Sequence, residues 1–457
     1  MQLTRTLLLA AVLTVVLATT GHTADNPPNI IFILTDDHGW CDIDTPIDPG
    51  NSASCEPYLS TPNMTRLADS GMRFSQAYSP APLCTPTRRS LQCGMTPARQ
   101  RGTEFASEFS WDGVLTIPKM LKGIDNRYRC AHFGKWGRLM GTVPDEAGYD
   151  VSDGQTGNST GGMGIPGNMD TRFVNEIKDD PKLIFSVTKR ANQFMEESVR
   201  AGRPFYLQVS HYAIHLAFQT RRETLEYYRR KGAPPRQINE ELAAMTTDLD
   251  TGIGLLLDKI DELEIWDNTY LIFASDNGGR DGFPYPTENR LNRNHPLRGA
   301  KHLLYEGGIR VPFIARGPGI PSQSHSTVPI ALYDLLPTFA ELAGGYELPK
   351  NLDGGSITGL LDDGQGSVRR GFPGMVFHRP LRPGGEQSYS ALRVGDDKLV
   401  VNWITGQLEL FDLARDIGEA NDLSKQEPDK TARLYEQLTG YLKSVNAERF
   451  EQSPLQY

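Results

Sequence analysis

The chain has little basic charge, little cysteine and, beyond its first two dozen residues, no long apolar run. Lys and Arg together number 47 against 56 Asp and Glu, a formal net charge of −9. General binding to nucleic acid needs a broad basic surface that displaces counterions from phosphates, and this balance argues against it. An anionic ligand would have to be met by a local basic pocket. No disorder-promoting residue is in excess and no internal repeat is present. The 38% hydrophobic and 23% charged content is that of an ordinary globular chain. The five cysteines, Cys41, Cys55, Cys84, Cys93 and Cys130, are an odd number, so one is left over. Four of them could be joined in three ways that sequence does not separate. Cys41 with Cys55 and Cys93 with Cys130 is the expected pairing in an oxidising compartment, and buried free thiols are the alternative.

The first residues, MQLTRTLLLAAVLTVVLATTGHTADNPP, place Arg5 before an apolar run from Leu7 to Leu17 and small residues near Ala24. That order reads as a signal peptide over residues 1–24. The run is well below the roughly 20 apolar residues that span a bilayer, so stable membrane insertion is not expected. A secreted or periplasmic protein is. At 457 residues the chain exceeds the size at which single cores stop growing, roughly 250–300 residues, which predicts two domains.

Asn29 to Leu34 (NIIFIL) is a short, unalternating, β-rich apolar run, as expected of a parallel strand covered on both faces. Similar runs occur at Cys130 to Phe133, Phe205 to Val209, Tyr270 to Ala274 and Val311 to Ala315. Helical stretches lie between them. Thr61 as N-cap, Pro62 and Gly71 bracket one, and others span about Ser186 to Ala201 and Asn239 to Leu263. Alternating strands and helices predict an α/β sandwich with a mainly parallel central sheet over residues 25–345. Beyond that, short strands at Ser388 to Val394, Lys398 to Trp403 and Leu408 to Phe411, then a helix near Lys430 to Val445, predict a smaller α+β unit over 346–457 with a short antiparallel sheet. The glycine-rich Ser152 to Asp170 reads as a loop, either solvated or facing a ligand.

In open α/β sheets, ligand sites form where the carboxyl ends of the strands open into a crevice. Asp36 and Asp37 stand at one such end and Asp276 with Asn277 at another, an oxygen donor set that suits hard cations such as Ca²⁺ or Mg²⁺. Cys84 lies in SPAPLCTPTRRS, where Pro80, Pro82 and Pro86 make an extended approach and Arg88 opens an expected short helix. A cation beside a thiol lowers its pKa. Arg290, Arg293, Arg298 and Lys301, with His295 among them, form a basic stretch in an acidic protein, which reads as a wall for an anionic substrate.

CTPTR at residues 84–88 resembles the signature of type I sulfatases, whose cysteine is converted to formylglycine after synthesis. The resemblance extends to TDDHGW after the first strand, GKW at 134–136, SDNGG at 275–279, LRGAKHLLYEGGIRVP at 297–312 and KLVVNWITGQLELFDLARDIGEANDL near the C-terminus. It therefore covers nearly the whole mature chain and implies the alkaline phosphatase-like fold. By position it implies that Asp36, Asp37, Asp276, Asn277 and the modified Cys84 hold a metal ion, usually Ca²⁺. Arg88 would hold the modified residue, Lys135 and Lys301 would contact the sulfate, and His215 would lie near the leaving group. A formylglycine-generating or equivalent maturation enzyme is an implied partner. A sulfate ester is already anionic, so metal, lysines and arginine must offset the charge that any attacking oxygen meets. In the family mechanism one hydroxyl of the hydrated aldehyde attacks sulfur in line, His215 or Lys301 protonates the departing alcohol, and the second hydroxyl loses its proton and expels sulfate.

Two departures from the family pattern stand out. Gly137 occupies the place of a histidine that normally meets the formylglycine hydroxyls, which leaves the base for sulfate release to His38 or His302 as candidates. Around His215 the family's flanking prolines are replaced, with His211 the weaker alternative. The expected activity is sulfate-ester hydrolysis on a sulfated carbohydrate, a carrageenan-type galactan among the candidates. The alternatives are phosphoester or phosphonate hydrolysis on the same scaffold, and a catalytically silent carbohydrate-binding protein.

Overall fold

The computed structural model describes residues 26–106, 109–163, 174–232, 238–281, 292–380 and 387–455. The expected signal segment, part of the glycine-rich loop and Arg290 lie outside them. At the centre is an eight-stranded sheet in the order Ser324–Ser326, Met72–Phe74, Phe313–Arg316, Thr269–Ser275, Asn29–Thr35, Phe205–Ser210, Arg129–Gly134, Val151–Ser152. Asn29–Thr35 pairs in parallel with both Phe205–Ser210 and Thr269–Ser275, and within the sheet Phe313–Arg316 runs against the others.

The unalternating NIIFIL run is explained by burial on both faces. Ile31 and Ile33 join a core with the helices Pro62–Asp69, Ile184–Arg200 and Glu240–Glu262, while Ile30, Phe32 and Leu34 join another with Cys84–Cys93, Ile117–Ile124 and Leu335–Leu342. The expected α/β/α layering and mainly parallel sheet are therefore observed. Among the described residues no helix is long and apolar enough to cross a membrane.

Four local readings are corrected. The expected strand Val311 to Ala315 is broken at Pro312, which has no N–H for the ladder. Arg310–Val311 pairs with Ala77–Tyr78 instead, and only Phe313–Arg316 enters the main sheet. The helix expected to open at Arg88 begins at Cys84, because Leu83 is extended and Pro86 falls in the first turn, where a missing N–H costs nothing. Thr61 stands at the N-cap position with Pro62 first in the helix, but its side chain makes no capping bond. Its hydroxyl donates to Asp44 Oδ1 at 2.7 Å, and Asp250 accepts from the first-turn amides of Asn63 and Met64 at 3.1 and 2.7 Å. All five thiols are free: the Cys93 sulfur is engaged by Gln100 and the Arg89 carbonyl, and Cys130 is buried in its own strand.

The C-terminal residues form the antiparallel sheet Met375–Arg379, Tyr389–Val394, Asp397–Asn402, Leu408–Asp412, backed by the helix Pro428–Ser444. Its first strand, rich in His and Arg, was not legible in the sequence. A further apolar cluster joins this sheet to Tyr78, Leu304, Ile309 and Tyr333, which precede it in the chain. Beside it Lys398 is fully buried between Glu306 and Glu419, with Nζ to carboxylate distances of 2.8 Å to each. Burial pushes the Glu419 carboxyl up to about 7 against the pull of Lys398, while Glu306, also raised by burial, is brought down to about 2 by Lys398 and Arg310. Replacing Lys398 by Ala leaves two acids facing each other without their shared cation. Thermal denaturation followed by circular dichroism is expected to show a loss of about 3–5 kcal/mol; a change within error would mean that the cluster does not hold this sheet to the Glu306 segment.

Candidate active site

Four strands of the parallel block deliver polar groups at their carboxyl ends. Asp36 and Asp37 follow Asn29–Thr35, Asp276 and Asn277 follow Thr269–Ser275, Lys135 follows Arg129–Gly134, and His211 and His215 follow Phe205–Ser210. Gly134 is required here: its φ is +94° and a Cβ would lie 2.0 Å from the Ser210 carbonyl oxygen, which also accepts from Lys135 N at 2.7 Å. Asp37 likewise holds a positive φ of 59°, a conformation an aspartate tolerates better than most residues.

The side chains converge. Lys135 Nζ donates to Asp36 Oδ2, and Lys301 Nζ to Asp37 Oδ1 at 2.5 Å. The Arg88 guanidinium meets Asp276 Oδ2 with Nε at 2.9 Å and Nη2 at 2.8 Å, and its Nη1 donates to the Lys135 carbonyl at 2.5 Å. Asn277 Nδ2 donates to Asp37 Oδ1 at 2.8 Å, and the Asp37 amide to Asp276 Oδ1 at 3.3 Å. His215 Nε2 stands 3.8 Å from Asp37 Oδ2. Three acids and three cations thus share one buried volume.

Burial raises the Asp36 carboxyl most, but Lys135 and the other groups around it together hold it below the ordinary range; Lys301, by charge and hydrogen bond, and its neighbours do the same to Asp37, more strongly. For Asp276, burial and the neighbouring Asp36 win over Arg88 and push the carboxyl up to about 6. Burial lowers Lys135 and Lys301, yet the acidic neighbours of each, led by Asp36 and Asp37, together more than compensate and keep both ammonium groups charged. Burial drives His215 down to about 3, so its imidazole is neutral.

Cys84 opens its ten-residue helix at the N-terminal end, where the amides and the macrodipole favour negative charge. It lies within electrostatic reach of Arg88, Lys135 and Lys301. With Lys135 it lines a cleft of about 480 Å³, whose far wall is Gln155 to Ser159 and Met163 of the glycine-rich loop. The described part of that loop is thus not simply solvated. Trp136 N donates to Thr156 Oγ1 at 2.9 Å and Gly137 N to the Thr156 carbonyl at 3.0 Å, which stitches the loop onto the GKWG turn.

Asp36 Oδ1, Asp37 Oδ2 and Asn277 Oδ1 are buried oxygens with no hydrogen-bond partner, and Asp36, Asp37 and His215 could each offer an atom to one ion. Buried oxygens without donors are costly, and a hard cation satisfies them. The residues present fit a divalent metal.

Sequence reasoning placed the other candidates differently from the structure. Arg293 and Arg298 do not face the cleft: Arg293 is paired with Asp42 at 2.6 Å, and Arg298 with Glu409 at 3.1 Å while lying over the Tyr305 ring. His38 Nε2 is taken up by the Asp42 carbonyl at 2.8 Å, and His302, beside Lys301, is pushed down to about 3 by burial. His211 is buried with neither ring nitrogen partnered. Three residues went unnoticed. Asn158 Nδ2 lies 3.4 Å from His215 Nε2, and buried Lys182 donates to the Gly162 carbonyl at 3.0 Å behind the loop. Arg89, next to Arg88, donates only to main-chain carbonyls of residues 102–105 and 139–140. The doubled arginine of CTPTRRS was the one available signal for it.

The sulfatase family model matches residues 28–346. A sulfatase of Formosa agariphila is 27% identical, covering 93% of this chain and 90% of its own length. An N-acetylgalactosamine-6-O-sulfatase of Bacteroides thetaiotaomicron is 26% identical, covering 90% and 92%. Among solved structures, Ps i-CgsB in complex with k-i-k-neocarrahexaose aligns with a TM-score of 0.74 at 24% identity, covering 93% of this chain and 94% of that one.

Gly137 has a φ of +127°, and a Cβ there would lie 3.0 Å from Met140 Cγ and 3.7 Å from Arg88 Cδ. Introducing the missing histidine as Gly137→His is therefore expected to lower stability by about 1–3 kcal/mol in thermal denaturation. It is not expected to raise sulfate release, and a more active variant of unchanged stability would contradict this view of the turn.

Proposed function

The chain belongs to the sulfatase family, the sulfuric ester hydrolases, and we propose that Cys84, converted to formylglycine, is the nucleophile with which it cleaves sulfate esters of a sulfated carbohydrate. The observation that carries this reading is the meeting of three buried cations and three unpartnered oxygens beside the helix N-terminus that presents Cys84. The relative named for N-acetylgalactosamine-6-sulfate supports a saccharide substrate. A carrageenan-type galactan is the polymer we put forward, met in a secreted or periplasmic setting. The Cys84 side chain is 2% exposed, so the maturation enzyme must reach it before the chain folds.

Asp36, Asp37, Asp276 and Asn277 would hold the metal, Ca²⁺ by the family's habit and Mg²⁺ by the donor set. A bound divalent cation would supply positive charge toward the ester's oxygens. The aldehyde of formylglycine, once hydrated, would supply one hydroxyl to attack sulfur and a second whose deprotonation expels sulfate. Within the cluster the cations balance the acids as it stands, so a metal leaves a surplus of positive charge that an anionic ester fills. Lys135 and Lys301 are the groups free to turn from their carboxylates toward the sulfate once those carboxylates face a metal. Arg88 is hydrogen-bonded and ion-paired to Asp276 and donates to the Lys135 carbonyl, which suits it to support residue 84.

Protonation of the leaving alcohol falls to Lys301 rather than His215. His215 Nδ1 is 2.6 Å from the Leu216 carbonyl, so the single proton of the neutral ring sits there. Its Nε2 then accepts from Asn158 and has no proton to give. Lys301 keeps its proton and points it at Asp37, one contact from the metal-binding oxygens.

Cys84→Ala or Cys84→Ser is expected to abolish sulfate release from saccharide and aryl sulfates alike; substantial retained turnover would overturn the proposal. Lys301→Ala is expected to lower kcat by about 10²–10⁴-fold on a saccharide sulfate. The loss should be much smaller on an aryl sulfate, whose leaving group needs no proton. An equal loss on both would move the acid elsewhere.

A further inference from the structure

The mouth of the cleft carries a combination the chemistry at Cys84 does not use. Phe105 and Leu139 are large apolar side chains left 39% and 49% exposed, and both line the cleft. Neither is loose: Arg89, buried in the helix of Cys84, donates through one Nη2 atom to the carbonyls of both residues. Its Nη1 and Nε hold Glu104 and Met140 on either side at 2.9 and 3.4 Å. Leu139 is kept in this place at a positive φ of 64°, a conformation that leucine rarely adopts. Backbone strain maintained to expose an apolar side chain at a cleft points to contact with a ligand. Directly before Leu139 stands Arg138, exposed, lining the same cleft, and with no acidic side chain or hydrogen-bond acceptor on its guanidinium among the described residues. Lys135, the other cation in the lining of this cleft, and the cluster's Arg88 and Lys301 are each matched with an acid, whereas among the described residues the Arg138 guanidinium is not.

We propose that Phe105, Leu139 and Arg138 form a leaving-group subsite that selects saccharides carrying a second anionic substituent, sulfate or carboxylate, beside the scissile sulfate. This rests on the reading of the cleft as the entrance for a sulfated saccharide. The apolar pair offers a surface to the C–H face of a sugar ring, and the planar guanidinium offers a fork that matches two oxygens of the second anion. Arg89 is the positioning residue that fixes both rims relative to Cys84. The cleft volume of about 480 Å³ lies in the range of sites that enclose a small ligand, roughly 300–1,000 Å³.

The test compares a disaccharide sulfated on both sugars with the same disaccharide bearing only the scissile sulfate. In the unaltered enzyme kcat/KM favours the doubly sulfated substrate. In Arg138→Gln that preference falls by about tenfold to a hundredfold, carried by KM, and Arg138→Lys restores part of it. An unchanged preference in Arg138→Gln, or none in the unaltered enzyme, overturns the subsite. Calorimetric binding of the two disaccharides separates this outcome from failure of the Cys84 proposal. If neither is cut, the nucleophile assignment fails, while tighter binding of the doubly sulfated one, lost in Arg138→Gln, still supports the subsite and equal binding overturns it.

Discussion

Asp36, Asp37 and Asp276 are carboxylates taken out of water side by side, and in a low-dielectric interior each needs a cation within contact distance. Lys135, Lys301 and Arg88 supply them from three separate segments of the chain. Removing water from one such group costs several kcal/mol, so the arrangement holds only while all the segments are in place. The sheet order, the turns after its strands and the placement of the Cys84 helix answer to that constraint. What the cations do not cover are three oxygens, on Asp36, Asp37 and Asn277, and these give the cluster its capacity for a metal.

The C-terminal sheet contributes to the same cluster from outside. The segment that carries Lys301 is gripped on its return by Glu409, which accepts from Arg298 and Tyr305, and by Glu419, which accepts from the Glu306 amide at 2.7 Å. Arg379 donates to the His302 carbonyl at 2.7 Å and pairs with Glu104 at 2.7 Å, linking the Lys301 loop to one rim of the cleft. Arg89 ties that rim, at Glu104 and Phe105, to the one at Leu139. Two buried arginines thus fix the distance between the anion-binding cations and the opening through which a substrate would arrive.

Much of the layout was legible because its signals are local. A fully buried parallel strand must be apolar on both faces, and NIIFIL showed it; a polar residue directly after such a strand must stand in the crevice, and Asp36, Lys135 and Asp276 do, with His215 five residues beyond its strand. The failures came where a residue's partner is distant in sequence. Arg293 and Arg298 read as a substrate wall because Asp42 and Glu409, which occupy them, lie far along the chain. Thr61 read as a cap because Asp250, which does that work, is in another helix. The thiols read as bridges because burial of Cys93 and Cys130 in separate elements has no sequence signature.

The sequence by itself determined the family, the layered α/β architecture, and the identities of the acids, the lysines, the arginine and the cysteine that meet at one end of the sheet. These follow from short motifs and from the period of apolar residues, which are properties of neighbouring positions. Tertiary structure alone decided which carboxylate each cation faces, which oxygens remain without a partner, and which nitrogen of His215 carries its proton. It also decided that Gly137 could not simply be a histidine, and that Phe105, Leu139 and Arg138 line one cleft. Those outcomes depend on side chains brought together from far along the chain, and only the folded packing sets their distances.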